Sequence, residues 1–450
     1  MVNNVYFIER FVYLAAHEKY EPPEEEIVAA ARILGLHTKK LGVVLERYKH
    51  VFSRYVEKRC TDVDNVSVCI YVWNRRVPFK AFPLSMHLTG TVLLFKDGEP
   101  QEVLAYPIPK ALSYAKSSDV PEERYGSMVP VEATKRIDGW QVTAYYNPIL
   151  GRWVWATRYA LHNMYFEGRK IVVEPFDSLA NPFVYVANRL ADREGLYKLL
   201  DRFRGWTFTF VLQGPEPAIT KPPYPLGEDY DKYTLYVVMA RDPEGRLYTW
   251  KETSKLLGYR CPEPVEPKEL ALLYREVRRS ISVRSYLAYI DVKDPENPLI
   301  IELESEVYPE AMYVKYLYDA KSAALLITDN LGDKLKHVVD PTVSRALDDM
   351  THAINRLQNI LSRIEEDKAL ESGWEIIRTL SEYRENISIR AEELAKAIRE
   401  KNINRLTRKI LGILLENLSL TSKNTIEILN SFVAKIEKRL GPTAESQSQS

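Results

Sequence analysis

Cysteine is scarce in this chain: Cys60, Cys69 and Cys261 are the only three among 450 residues. None stands at Cys-x-x-Cys spacing, and an odd count in a chain this long argues against a disulfide framework or a zinc site. That usage points to a reducing compartment. Long apolar runs are missing too. No stretch of about 18 apolar residues occurs, so no membrane-spanning helix is expected. The opening Met-Val-Asn-Asn-Val-Tyr lacks a basic region followed by an apolar one, so no secretory leader is read there and a soluble, cytoplasmic protein is expected. Excess charge of either sign is absent, since 62 basic and 62 acidic residues cancel. A polynucleotide partner therefore needs a local basic groove rather than an overall positive field. The seven histidines show no metal-ligand spacing and no Ser/His/Asp arrangement, so no metal site is assigned.

What the chain does have is charge and tyrosine. Charged residues at 28%, 29 tyrosines and few glutamines are the composition expected of a hyperthermophile, where networks of Lys, Arg and Glu are favoured. The length allows two or three domains, each with its own core. Residues 5 to 60 carry helical periodicity, with Ile27, Ala30, Ile33 and Leu34 on one face and Pro22-Pro23 punctuating the start. From Val66 the pattern changes to short β-branched and aromatic runs at 66–73, 90–95, 102–106, 141–146 and 153–156, separated by turns such as Lys96-Asp97-Gly98. Further strands are predicted at 171–173, 207–212 and 235–240, with Arg246 to Trp250 as a hairpin partner. Helices are predicted at 183–204 and 267–282. After Asp340-Pro341, apolar residues recur at Ile354, Leu357, Leu361 and Ile364, the a/d spacing of helices packed on one another or across a dimer. The organisation expected is a helical region 1–64, an α+β body 65–335, a helical domain 340–440 and a disordered tail 441–450.

Residues 132 to 143 read Glu-Ala-Thr-Lys-Arg-Ile-Asp-Gly-Trp-Gln-Val-Thr. Ahead of them stand Leu88-Thr-Gly-Thr-Val and Glu102-Val-Leu-Ala-Tyr-Pro-Ile-Pro-Lys110. Behind them come Trp155-Ala-Thr-Arg158, Phe208-Thr-Phe-Val-Leu-Gln-Gly-Pro-Glu216, the run Tyr236 to Tyr248, and Tyr313-Val-Lys-Tyr316. In order and spacing these blocks resemble those of ATP-dependent RNA ligases in the covalent nucleotidyltransferase superfamily, including the archaeal homodimeric kind. The resemblance implies an α+β nucleotidyltransferase fold (an ATP-grasp-like ligase adenylation domain) with antiparallel sheets, followed by an all-helical C-terminal domain. It also implies ATP and Mg2+ as cofactors, RNA as substrate, a homodimer, and a Lys-x-Asp-Gly lysine that attacks the α-phosphate of ATP.

On that resemblance Lys135 is the candidate nucleophile, and Arg136, Asp138, Gly139, Arg158 and Lys315 are candidate nucleotide contacts. Arg136, however, occupies the position two before Asp138, and a guanidinium does not deprotonate in proteins. Val211 stands where the family has a glutamate, Thr89 where it has an arginine, and Tyr159 where it has a glycine. Glu296 and Glu310 are poor matches to the Glu-Gly motif. A one-residue shift on a strand turns the side chain to the opposite face, so Lys135 reaches the site only if a β-bulge absorbs the extra residue. Arg275, Arg278, Arg279 and Arg284 fall at near-helical spacing and are candidate contacts to an RNA backbone.

Plain structural readings stand beside these: Asp138-Gly139 as a hairpin turn, Arg158 as an ion pair, Lys315 as a snorkelling surface lysine, and the arginine run as a solvated helix face. Three functions remain open. The first is a degenerate ligase homologue that binds RNA or pairs with an active ligase. The second is an active ATP-dependent ligase using Lys135. The third is a structural or assembly protein without nucleotide contact.

Overall fold

The computed structural model describes residues 3–16, 20–74, 84–116, 120–220, 227–291 and 299–440. The chain forms two compact units. One comprises Met1–Val277 and Arg284–Glu304, the other Arg278–Val283 and Ser305–Ser450.

The first unit begins with helices Asn4–Ala15, Glu24–Ile33 and Leu41–Arg54. Asn3 caps the first by accepting hydrogen bonds from the Val5 and Tyr6 amides. The second starts directly after Pro23, with Glu24, Glu25 and Glu26 in its first turn, where the helix dipole favours negative charge. Strands β1 (Val56–Val63), β2 (Val66–Trp73), β3 (Thr89–Lys96) and β4 (Glu99–Ala105) follow as an antiparallel meander in sheet order β1-β2-β3-β4. The helices cover one face of it, burying Val5, Ile8, Phe11, Leu34 and Val51 against Cys69, Tyr71, Leu93 and Phe95.

Helical structure therefore stops at Arg54, short of the residue 60 that periodicity predicts. Val56 to Val63 pairs instead with β2 across a tight turn in which Asp64 takes a positive φ of 51°. That register sets Cys60 directly opposite Cys69, and the two form a disulfide with 4.1 Å between their Cα atoms. This corrects the expectation drawn from cysteine count. The count carries no information about register, whereas a nine-residue separation across a two-residue turn makes the pair face each other.

The rest of the unit supplies β5 (Leu112–Ser113), β6 (Glu132–Lys135), β7 (Trp140–Asn147), β8 (Arg152–Thr157), β9 (Met164–Glu167), β10 (Lys170–Val173), β11 (Thr207–Gln213), β12 (Thr234–Arg241), β13 (Leu247–Tyr248), β14 (Pro264–Val265), β15 (Ser285–Asp291) and β16 (Leu299–Glu304). Two five-stranded sheets result, ordered β13-β12-β11-β7-β8 and β14-β6-β15-β16-β5, with β9 and β10 as a separate hairpin. All pairings are antiparallel except β16 with β5. The fold is α+β with antiparallel sheets. Helix Pro182–Arg193 packs Val184, Ala187 and Leu190 onto Phe208, Phe210 and Trp155 of the first of these sheets. Trp250, predicted as the end of a strand, instead opens helix Trp250–Leu257. Thr249 and Glu252 form a capping box there, and that local signal outweighs the β propensity of the preceding residues.

The second unit is helical: Tyr308–Leu317, Ala320–Thr328, Gly332–Lys336, Ser344–Ser362, Ala369–Leu380, Ala391–Arg399, Ile403–Leu414 and Lys423–Leu440. Ile354, Leu357 and Leu361 are buried as their spacing predicts, while Ile364 lies beyond the end of its helix. The change from strand to helix comes after Glu304, not at Asp340-Pro341, because Leu299–Glu304 pairs as β16 and Tyr308 then begins a helix. Readings that fall on Glu296 and on residues 441–450 lie outside the described residues. Among the described residues no helix is long and apolar enough to cross a membrane.

Candidate functional site

Strand β6 lies between β14 and β15, and its register with β15 is continuous: Lys135 faces Tyr286, Thr134 faces Leu287, Ala133 faces Ala288 and Glu132 faces Tyr289. The Arg136 amide donates to the Ser285 carbonyl at 2.9 Å, which extends the ladder one residue further. No bulge interrupts residues 132–135. Successive side chains on a regular strand alternate between its faces, and the charged ends of Lys135 and Arg136 take different partners. The Lys135 ammonium pairs with Glu263 at 2.6 Å. Arg136 pairs with Glu302 of β16.

Glu302 is buried, and it also accepts a hydrogen bond from the Ser285 hydroxyl at 2.7 Å. Burial alone would raise its pKa. The Arg136 charge, the two hydrogen bonds and the more distant Arg284 outweigh that and hold it below the ordinary carboxylate value.

Asp138 and Gly139 connect β6 to β7 and so carry the chain from one sheet to the other. They do not form a hairpin turn. Asp138 is buried, and its Oδ1 accepts from the Ala218 amide at 3.1 Å and from Arg284 at 2.8 Å, while Oδ2 has no partner. Gly139 runs so close to β11 that a Cβ would lie 2.4 Å from the Leu212 carbonyl oxygen and 2.7 Å from Val211 Cγ1. Close backbone approach, not a positive φ, makes glycine necessary here.

Thr207 and Thr209 of β11 accept hydrogen bonds from the Tyr106 and Ile108 amides at 2.9 and 3.0 Å. The Thr89 hydroxyl donates to the Ile108 carbonyl at 2.7 Å, and Gln141 donates to the Thr89 carbonyl at 3.2 Å. These bonds hold the segment after β4 in place and bring Lys110 to the rim of a cavity of about 260 Å³. Ile108, Val211, Val238 and Leu287 supply its apolar lining, and Lys110, Lys135, Arg136, Arg158 and Glu302 its charges. Tyr289 contributes a fully buried hydroxyl without a hydrogen-bond partner.

An adjoining cavity of about 520 Å³ shares Arg136, Gly139, Gln141 and Arg158 with the first and adds Arg284, Trp140, Tyr159, Tyr165, Phe166 and Phe183. Arg59 of β1 steadies this aromatic wall. It donates to the Tyr159 carbonyl and its guanidinium lies 5.0 Å from the centre of the Phe166 ring. The combination of guanidiniums, ring faces and an apolar recess suits a phosphate attached to a base and sugar.

Of the residues singled out in the sequence, Lys135, Arg136, Gly139 and Arg158 line this cleft, and Asp138 lies behind it, orienting Arg284. Lys315 lies on helix Tyr308–Leu317 of the second unit, its ammonium 5.2 Å from the Tyr316 ring centre. The expected arginine face does not form as one helix, because the helix carrying Arg275 ends at Val277. Arg278 then pairs with Glu306 at 2.9 Å, and Arg279 donates to the Asp329 carbonyl. Sequence reasoning named Arg284 only as part of an arginine helix face, whereas it lines the larger cavity, and it passed over Glu302, Gln141, Thr209 and Tyr289. The one available signal was a glutamate inside the apolar run Leu299-Ile-Ile-Glu-Leu.

The donor set does not suit a divalent cation. Glu302 and Asp138 each have a guanidinium within hydrogen-bond distance, and the Val211 side chain carries no oxygen. Among the described residues no group of three His, Cys, Asp or Glu side chains comes together.

No family model matches this chain. No curated protein matches it either. Among solved structures, an archaeal ATP-dependent RNA ligase is similar at 14% identity over 74% of this chain and 79% of that one, with a TM-score of 0.39. A Naegleria gruberi RNA ligase variant with AMP and Mn is similar at 10% identity over 57% of this chain and 97% of that one, with a TM-score of 0.31. TM-scores this low carry neither the fold nor the chemistry of this chain, which rest on its own strands and side chains.

Proposed function

We propose that this chain is a ligase-like nucleotidyltransferase-fold protein that has lost covalent chemistry and holds a phosphate-bearing nucleotide or RNA end in the cleft around Arg136, Arg158 and Arg284. One observation carries the reading. On an unbroken β6, the side chain two before Asp138 is an arginine engaged with Glu302, while the ammonium of Lys135, which lines the same cavity, is paired with Glu263. A lysine attacks phosphorus only as a free amine aimed at it, and a guanidinium cannot replace it. The remaining charges favour binding, since arginine forks match phosphate oxygens in geometry and charge.

The test is incubation of the full chain with α-labelled ATP and Mg2+, followed by denaturing electrophoresis, beside filter retention of a 5′-phosphorylated oligoribonucleotide. Retention without a labelled protein band is expected. A labelled band that Lys135→Ala abolishes would overturn the reading in favour of an active adenylyltransferase.

A further inference from the structure

Two arginine–carboxylate pairs line up along the cleft. Arg136 holds Glu302 and Arg284 holds Asp138. In each pair the carboxylate is the more deeply buried partner. The Glu302 and Asp138 side chains are 10% and 6% exposed, against 33% and 26% for Arg136 and Arg284. The carboxylate is thus the inner member of each pair, and both arginines line the larger cavity. A guanidinium carries five N–H donors, and a single carboxylate contact leaves most of them for other acceptors. Arg158 lines both cavities as well, and Lys110 stands at the inner rim. Three arginines and no carboxylate line the larger cavity, and the aromatic residues Tyr159, Tyr165 and Phe166 line it with them.

A divalent cation at a phosphate site needs open carboxylate or carbonyl oxygens, and it is repelled by cations already in place. Here each carboxylate is engaged by a guanidinium; Asp138 lines neither cavity and Glu302 lines only the smaller one.

Resting on the reading of the cleft as a phosphate site, we propose that its arginines take over the neutralising role of a divalent cation, so that the protein binds a base-linked phosphate without divalent metal. The phosphate oxygens replace water on Arg136, Arg158 and Arg284, and the base lies on the aromatic wall. The shared chemistry is a phosphate beside a purine or pyrimidine, available from a free nucleotide or from the 5′ end of a single strand.

The test is equilibrium binding of the full chain to ATP, to a 5′-phosphorylated oligoribonucleotide and to the same oligomer with a 5′-hydroxyl. Each is measured at matched ionic strength in 5 mM (roughly physiological-excess) Mg2+ and in EDTA. Affinities within about threefold between the two buffers support the proposal, and so does a loss of at least about tenfold in Arg158→Gln, the size expected for one charge-assisted contact. Arg136→Gln gives the same loss, and circular dichroism confirms that each variant is folded. The ATP and 5′-phosphate arms identify which source the cleft prefers. Binding that weakens more than about threefold in EDTA overturns the metal-free proposal and leaves the proposed function standing. No binding of any probe in either buffer overturns both.

Discussion

Replacing Glu302 by glutamine isolates the charge at the centre of the cleft, because glutamine keeps the volume and can still accept the Ser285 hydroxyl bond. What it removes is the carboxylate facing Arg136. Breaking a fully buried ion pair by deleting one partner costs about 3–5 kcal/mol, since the other charge is left without compensation. Arg136 is a third exposed, so water entering the cleft solvates it after the change. The expected cost therefore falls to about 1–3 kcal/mol. For a unit of roughly 300 residues, the usual unfolding entropy converts that into a drop in Tm of about 2–5 °C at pH 7.

The pH dependence is the sharper part of this experiment. The folded-state pKa of Glu302 lies below its ordinary value of 4.5, so its contribution to stability is complete above that value and is lost as pH falls through the folded pKa. The gap in Tm between the native chain and Glu302→Gln should be widest near neutrality, narrow below pH 4.5, and close at lower pH once the carboxyl is protonated in both states. Scanning calorimetry across that range measures it. A gap that is absent at pH 7, or that keeps its full size down to the lowest pH at which the chain still folds, would refute the assignment of Glu302 as the charge partner of Arg136.

Other substitutions probe the frame around the cleft. Gly139→Ala places a Cβ against the backbone of β11, and because the nearest atom is a carbonyl oxygen, the strand must move; a loss of about 1–3 kcal/mol in thermal or urea unfolding is expected. Gly42→Ala is its counterpart, since a Cβ there meets nothing within 4 Å inside helix Leu41–Arg54; unchanged or slightly raised stability is expected, about 0.5–1 kcal/mol from helix propensity. Cys60→Ser opens the loop that the disulfide closes and should lower stability under oxidising conditions by about 2–3 kcal/mol on a chain-entropy estimate, with no effect once both proteins are reduced. Trp374, 56% exposed on helix Ala369–Leu380, should tolerate serine within about 0.5 kcal/mol by the same unfolding assay.

What the sequence discloses here is local, and what it conceals is pairing. Strands β2, β7, β8, β11 and β12 were legible because their β-branched and aromatic runs are bounded by turns, and Ile354, Leu357 and Leu361 because their spacing is helical. Strand β1 escaped because Glu57, Lys58, Arg59 and Asp62 make it look like a charged helical surface, and only its partner β2 fixes it as a strand. The candidate site divides in the same way. Asp138, Gly139 and Arg158 could be named from short motifs, but the partners that define their chemistry come from distant segments: Glu302 lies 166 residues from Arg136, and Arg284 lies 146 from Asp138.

Those distant partners change the meaning of the local motif. A lysine displaced by one position leaves open the possibility that a bulge restores it, and no inspection of residues 132–139 can decide the matter. The continuous register with β15 decides the local geometry, and Glu302 adds a reason for it. Once an arginine occupies that position, a buried carboxylate opposite it offsets the cost of burying the charge, and each member then makes the other unfavourable to lose. Replacing Arg136 by lysine alone would therefore not create a nucleophile, because the new ammonium would face Glu302 and be held protonated by it. A reactive lysine at this position needs at least two changes, Arg136→Lys together with a neutral residue at 302, and adenylation appearing in the single variant would show that this coupling is wrong.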